Sequence, residues 1–154
     1  MILSTLAFAR FDAVLLLLLG ESNPTPADWS TWARAYCRSA AEHGVRHLLL
    51  VTHGGGPNAA QLQELQHSLV RVAGTNAAEH FRTATCGDSA VVRFISATLG
   101  WLYAGAGMQS FSAGEQPAAL RFLGLGTARQ SRILAAVPVL RAALRSRAGG
   151  GKCS

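Results

Sequence analysis

The chain is poor in charged residues and has almost no lysine. Charged side chains make up 14 % of its 154 residues, and Lys152 is the only lysine. A hydrophobic content of 49 % excludes a generally disordered chain and predicts one compact domain with a substantial core. The net charge is +6, but no block of five or six like charges occurs. We therefore expect no nucleic-acid partner.

Cysteines are few and widely spaced. Cys37, Cys86 and Cys153 form neither a CxxC pair nor a zinc-ligand pattern. An odd number of cysteines without a disulfide framework is typical of a reducing compartment. The sequence therefore predicts a cytoplasmic protein.

No apolar run is long enough to cross a membrane. The leucine-rich run at 13–19 has seven apolar residues, whereas a helix needs about 20 to span a bilayer. Arg10 and Asp12 interrupt the stretch before it, and no small-x-small cleavage site follows. We therefore interpret this run as a buried strand rather than as a signal peptide.

Catalytic and metal-binding motifs are also missing. None of the five histidines falls in an HExxH pattern or another metal spacing, and no GxSxG nucleophile elbow occurs. His53 and Asp88 lie at the ends of two neighbouring predicted strands, with Cys86 close by. The three could form a nucleophile set, although a helix cap explains Asp88 as well. We expect a protein that is not an enzyme and holds no metal or cofactor, with this set as the catalytic alternative.

Hydrophobic periodicity predicts alternating strands and helices. Strands are predicted at 4–11, 13–19, 45–52, 80–87 and 108–112, and helices within the segments 23–44, 57–74, 88–105 and 113–124. The first two strands are so close in sequence that they must pair antiparallel, and right-handed βαβ crossovers join the others. The predicted fold is α/β, a mixed sheet of about five strands with about four helices and an extra C-terminal helix.

Two predicted helices carry apolar stripes, and the stripe on the first helix should face the core. The stripe on the first helix is Trp29, Trp32, Ala33, Tyr36 and Ala40, and the stripe on the second is Leu62, Leu65, Leu69 and Val72. Thr25 or Asp28 is the predicted cap of the first helix. Ser112 is the predicted cap of the fourth, with Glu115 three residues later.

The last part of the chain predicts an Arg-rich helical extension at 126–147, kinked near Pro138, and a flexible Gly-rich tail at 148–154. Its arginines lie beside apolar residues, a pattern that suits either docking on a protein core or contact with an anionic membrane. We favour docking on the core and do not expect peripheral membrane contact.

The segment "FRTATCGDSAVVRFISATLGWLYAGAGMQSFSAGEQPAALRFLG" at 81–124 combines several features. It has a strand, an Asp-Ser turn, a helix with Val-Arg, a strand ending in Phe-Ser and a last helix with Ala-Leu-x-x-Leu. Together with the element order, it resembles a STAS domain, the fold of bacterial anti-sigma-factor antagonists, in the branch that overlaps lipid-transfer CRAL-TRIO domains. The resemblance covers a domain of residues 1 to about 125.

This resemblance implies a regulatory or scaffold module that binds another protein. In regulatory STAS domains, the loop after the third strand carries a phosphorylated Ser or Thr at the start of the second helix. Here that loop, 53–58, reads His-Gly-Gly-Gly-Pro-Asn and contains neither residue. We therefore expect the phospho-switch to be absent.

The same loop is the predicted partner-binding surface, flanked by the turn before the third helix. The surface comprises His53, Gly54, Gly55, Gly56, Asn58, Asp88 and Ser89. An anion cradle is an alternative, because N–H groups at a helix start attract anions. However, the loop lacks the P-loop lysine, and Pro57 removes one N–H. A plain strand-to-helix turn is the third interpretation.

A second function stays open beside protein binding. The CRAL-TRIO side of the resemblance implies a carrier or sensor of a lipid or other small ligand, with an acyl chain enclosed between the sheet and the last helix. The identity of a protein partner and the choice between monomer and homodimer are not fixed by the sequence.

Overall fold

The computed structural model describes residues 1–73, 81–87, 89–99 and 107–150. The strands are β1 (Leu6–Phe11), β2 (Val14–Leu19), β3 (His47–Thr52), β4 (Arg82–Cys86) and β5 (Met108–Phe111). The helices are α1 (Pro26–His43), α2 (Ala59–Ala73), α3 (Ser89–Leu99), α4 (Gln116–Phe122) and α5 (Thr127–Gly150). The predicted α/β class is confirmed for these residues.

The five strands lie in the sheet in their sequence order, β1-β2-β3-β4-β5. The first pair is antiparallel and the other pairs are parallel, as predicted. Leu19 pairs with Thr52, and Val51 with Cys86, so β2, β3 and β4 end at the same edge. The start of β1 lies there too, because Leu6 pairs with Leu19. In open α/β sheets this edge is where ligands bind.

Helices cover both faces of the sheet. On one face, α1, α2 and α3 pack on alternate residues of β2 and β3, including Leu15, Leu17, Leu48 and Leu50. On the other face, α4 and α5 pack on the intervening residues Leu16, Leu18, Leu49 and Val51. All six residues of β2 are buried. This explains the continuous leucine run, because a strand buried on both faces has no polar side.

The predicted stripe on α1 is confirmed, since all five of its residues are buried. On α2, Leu62, Leu65 and Leu69 of the predicted stripe are buried, whereas Val72 is 36 % exposed. Val72 lies in the last turn of α2, where the helix presents this side chain to solvent. The residues after Ala73, up to 80, lie outside the described ranges.

The helix caps differ in part from the prediction. Thr25 caps α1 by accepting a hydrogen bond from the Asp28 N–H at 3.1 Å. The prediction that Ser112 caps α4 was wrong, because that helix begins only at Gln116. The N–H and hydroxyl of Ser112 instead donate to Glu115 Oε1, at 3.0 and 2.7 Å. Ser112 is therefore a donor to the acidic side chain before the helix.

The C-terminal helix α5 packs on the sheet of its own chain. Ile133, Val137 and Leu144 are buried in the same apolar cluster as β2. The helix continues through Pro138 to Gly150, into the segment predicted to be flexible. No helix in the described ranges combines the length and apolar character needed to cross a membrane.

Candidate functional site

The loop after β3 lies at the edge where the parallel strands end, and its backbone donors are occupied. The N–H groups of residues 53–56 donate to Leu19 O, Thr52 Oγ1, Gly20 O and Asn23 Oδ1, in that order, at 2.9–3.2 Å. Pro57 has no N–H to offer. The loop therefore has no free backbone donor for a phosphate, which argues against the anion-cradle alternative.

Asn58 caps helix α2 through a reciprocal pair of hydrogen bonds. Its Oδ1 accepts from the Gln61 N–H at 2.8 Å, while its own N–H donates to Gln61 Oε1 at 3.0 Å. This is a capping box with amide side chains at both positions. Gln61 also donates to Pro24 O at 3.3 Å, which ties the start of α2 to the segment before α1.

The glycines of the loop are explained by close approach of neighbouring segments. A Cβ on Gly55 would lie 2.0 Å from the carbonyl oxygen of Ser22. A Cβ on Gly56 would lie 2.8 Å from the Val91 side chain. The segment after β2 crosses one side of the loop and helix α3 packs on the other, so only glycine fits.

Two depressions lie on opposite sides of this loop. The first, which we call the α5 cleft, has a volume of about 430 Å³ and lies between the loop, the start of β1 and helix α5. The second, which we call the α3 groove, has a volume of about 440 Å³ and lies between residues 56–58 and α3. The α5 cleft is lined by Ser4, Thr5, Gly20, Glu21, Ser22, His53, Arg141, Leu144, Arg145, Ala148 and Gly149.

The structure therefore divides the predicted binding residues between two surfaces. His53 lines the α5 cleft, whereas Gly56 and Asn58 line the α3 groove. Gly54 is exposed and Gly55 is buried at the point between them. Ser89 is the first residue of α3, and Asp88 lies outside the described residues.

The α5 cleft contains two buried nitrogen atoms that have no hydrogen-bond partner among the described residues. They are His53 Nε2 and Arg141 Nε. Burial lowers the pKa of His53, the positive charges of Arg141 and Arg145 lower it further, and Glu21 opposes them. His53 is therefore mainly neutral at pH 7.

The arginines of this cleft were not among the predicted site residues. Arg141 and Arg145 are on α5, far from His53 in sequence, and the sequence offered them only as part of an Arg-rich helix. Their spacing of four residues places them on one side of the helix. This spacing could have identified the pair in the sequence. It does not show which part of the sheet this side of α5 contacts.

The α3 groove is apolar and contains an exposed aromatic ring. Phe94 is 43 % exposed, and Pro57 and Val91 line the groove with it. Val92 and Ile95 of the same helix are buried. Val91 and Phe94 lie three residues apart and so share a side of α3, on which Val91 packs at the margin of the core and Phe94 is exposed. Helical periodicity could have identified this pair.

Cys86 is poorly suited to the catalytic alternative. Its side chain is fully buried with Val51 and Ala84, and burial, helped by Glu115, raises the pKa of its thiol to about 12. A thiol must ionise to act as a nucleophile. Within the described ranges, no group of three or more His, Cys, Asp or Glu residues could hold a metal ion.

Comparisons with known proteins give little guidance. No protein-family model matches the chain, and no curated protein matches it. Among solved structures, an enoyl-CoA hydratase from Mycobacterium avium subsp. paratuberculosis K-10 is similar over 97 % of this chain and 92 % of that chain. The identity is 12 % and the TM-score is 0.44, so this likeness carries no argument about function.

Proposed function

We propose that the chain is a non-enzymatic regulatory or scaffold module of STAS type, and that it binds another protein through the α3 groove. The observation that carries this proposal is the half-exposed Phe94 beside Pro57 and Val91. Aromatic side chains in an apolar depression with a polar rim are typical anchors of protein interfaces. The element order on which the STAS resemblance rests, from β1 to α4, supports the family part of the proposal.

The groove is preformed by hydrogen bonds on its polar side. Gln61 is 8 % exposed, and its side chain accepts a hydrogen bond from the Asn58 N–H. Its main-chain carbonyl oxygen accepts a hydrogen bond from the Trp29 indole at 3.0 Å. The Gly56 N–H is fixed by Asn23. A partner would therefore meet a surface that needs little ordering, which favours affinity.

Binding through this surface does not depend on phosphorylation of the loop. Thr52, at the end of β3, is the hydroxyl residue nearest to the loop in sequence, and it is 2 % exposed. Its hydroxyl donates to Gly55 O and accepts from the Gly54 N–H. A kinase could not reach this hydroxyl without opening the loop, so we propose a constitutive interaction.

A lipid carrier is the second function that the sequence left open. In this structure, Ala119, Leu120 and Ile133 of α4 and α5 are fully buried against the sheet. The face that would have to enclose an acyl chain is thus packed with side chains. This packing favours protein binding over lipid transport.

We propose a cytoplasmic location for the module because of its cysteine usage.

The test is a capture experiment with Phe94→Asp and a matched control. Val139 on α5 is 68 % exposed and lies outside the residues that line the α3 groove, so Val139→Asp adds the same charge elsewhere. Tagged wild-type and variant chains would be used to capture proteins from the source cell, with quantification by mass spectrometry. We expect Phe94→Asp to lower capture of the specific partner about tenfold or more, and Val139→Asp to leave it unchanged.

Two results would contradict the proposal. One is equal capture by wild type and both variants, which would move the interface away from the α3 groove. The other is a lipid that co-purifies in native mass spectra of the wild-type chain, which would favour the carrier function. Circular dichroism of each variant checks that its fold is intact.

A further inference from the structure

We infer that the α5 cleft binds the oxyanion group of a small molecule, a phosphate or a carboxylate, between His53 and Arg141. This inference goes beyond the proposed protein interaction and concerns the opposite side of the loop. It rests on the unpaired donors, the charge and the remaining polar groups of the cleft wall.

The cleft wall contains two buried nitrogen donors without a partner among the described residues. Buried polar nitrogens in folded proteins nearly always have a hydrogen-bond partner, because burial without one is costly. His53 Nε2 and Arg141 Nε are both buried and lack a partner in the described part of the chain, and both residues line the same cleft. An anion that reached these two nitrogens from the cleft would give each of them an acceptor.

The charge of the cleft selects an anion. Arg141 and Arg145 both line it, and each is close enough to His53 to lower its pKa. Glu21 is the acidic residue of the wall and is already paired with Arg145, at 3.3 Å. Arg141 has no salt bridge within the described ranges, so its charge remains for a ligand. A guanidinium group pairs well with phosphate and carboxylate oxygens.

The other polar groups of the wall limit the size of the ligand group. The hydroxyls of Ser4 and Thr5 donate to Asp28 Oδ2, at 2.8 and 2.6 Å, and so do not offer their protons to the cleft. Ser22 also lines the cleft but is exposed. The inner donors are thus His53 and Arg141, with Arg145 at the exposed rim. Such a set holds one oxyanion group, and the volume of about 430 Å³ leaves room for the rest of a small molecule.

The test follows the ring nitrogens of His53 by NMR during titration with inorganic phosphate. Sodium chloride at equal ionic strength is the reference, and succinate replaces phosphate in a parallel titration. We expect a saturable change at His53 and a rise in its pKa, because the anion offsets the field of Arg141 and Arg145 while Glu21 stays paired. The probe that saturates at the lower concentration identifies the preferred group.

Arg141→Gln is the decisive variant and Arg129→Gln is its matched control. Both remove one positive charge from α5, but Arg129 pairs with Asp12 at 3.2 Å and does not line the cleft. We expect Arg141→Gln to weaken binding about tenfold or more, and Arg129→Gln to keep the wild-type response. Phe94→Asp should also keep it, because the α3 groove is a separate surface.

Four results would overturn the inference. The first is the lack of a saturable response of His53 to either anion. The second is an equal loss of binding in both arginine variants, which would indicate a general charge effect. The third is a wild-type response confined to other histidines, a result that does not depend on whether Arg141→Gln folds. Recruitment of the wild-type chain to anionic phosphatidylglycerol vesicles without a response to either free anion would also overturn it.

Discussion

The α5 cleft and the α3 groove lie on opposite sides of one loop and differ in chemistry. The α5 cleft has two arginines and two buried nitrogens without partners among the described residues. The α3 groove has an exposed phenylalanine, a proline and a valine. His53 and Gly56 are three residues apart and belong to different surfaces. The loop is thus a divider that sets the shape of two surfaces, rather than a site in itself.

The direction of each residue follows from the strand before it and from the crossing after it. Val51 faces α4 and α5, and His53, two residues further on, lies on the same side, as strand alternation requires. After His53 the glycines let the chain pass Ser22 and reach α3. A single compact turn can therefore serve two surfaces.

The largest effect should come from Gly55→Ala, which removes the divider. The new Cβ would lie 2.0 Å from the Ser22 carbonyl oxygen, a backbone atom that cannot move without shifting the segment after β2. We expect the free energy of unfolding to fall by about 3 kcal/mol. Urea denaturation measures this loss, and binding at both surfaces should weaken together.

Gly114→Ala is the control for this change. A Cβ at Gly114 meets no atom within 4 Å, so we expect a change within about 0.5 kcal/mol. If Gly55→Ala were as stable as Gly114→Ala, the loop would be able to move away from Ser22. The close contact at Gly55 would then not be what separates the two surfaces.

A smaller effect is expected from Asn58→Ala, which alters the α3 side alone. The change removes the acceptor for the Gln61 N–H and should lower the free energy of unfolding by about 1 kcal/mol. Asn58→Ser keeps a capping oxygen and should lose far less. Chemical denaturation gives both values. An altered response of His53 to phosphate in Asn58→Ala would show that the two surfaces are coupled, and would contradict their description as separate surfaces.

The sequence was sufficient to predict the fold class and the element order, because strands and helices show in the spacing of residues near one another along the chain. The leucine run fixes β2 as a strand buried on both faces, and helical spacing identifies the buried side of α1. Tertiary packing decided the rest. The exposure of Val72 and the late start of α4 depend on neighbours that periodicity does not show.

The candidate site was predictable only in part. The loop at 53–58 was located because turn residues follow a buried strand at the carboxyl edge of a sheet. Its division was not predictable, since Arg141 and Phe94 reach the two sides from α5 and α3. Contacts between residues so distant in sequence depend on how the helices pack.

Acid should destabilise the wall of the α5 cleft that Ser4 and Thr5 form, because Asp28 holds these two residues in place. Burial is the largest influence on this carboxyl and raises its pKa, but hydrogen bonds from Thr5 and Ser4 together bring the pKa below the ordinary value. The carboxylate therefore stabilises the fold above about pH 4, and this contribution is lost as the pH falls through the lowered value.

Asp28→Asn tests whether the stability contributed by this carboxylate is lost in acid. We expect the free energy of unfolding to depend less on pH below about pH 4 in Asp28→Asn than in wild type. Amide exchange at Thr5, whose N–H donates to Asp28 Oδ2 at 2.8 Å, should be faster in the variant. Equal pH slopes and equal exchange would mean that Asp28 does not hold the cleft wall.

The smallest expected effect, and the sharpest test of the comparison, concerns His53. Burial lowers its pKa first, then Arg141 and Arg145, against Glu21. Because the folded-state pKa is below the ordinary value of about 6.5, the contribution to stability is present above that pH and is lost as the pH falls below it. His53→Gln should reduce this loss in chloride, with a remainder from His47, whose pKa burial also lowers.

Phosphate should reduce the same loss in the wild-type chain, because a bound anion raises the pKa of His53 toward its ordinary value. Unfolding measured from pH 7 to pH 5 in chloride and in phosphate therefore links the stability of the fold to the occupancy of one surface. None of the described residues that line the α3 groove is a histidine, so Phe94→Asp should leave this difference between the two salts unchanged. A difference that persists in His53→Gln would instead place the anion effect outside the α5 cleft.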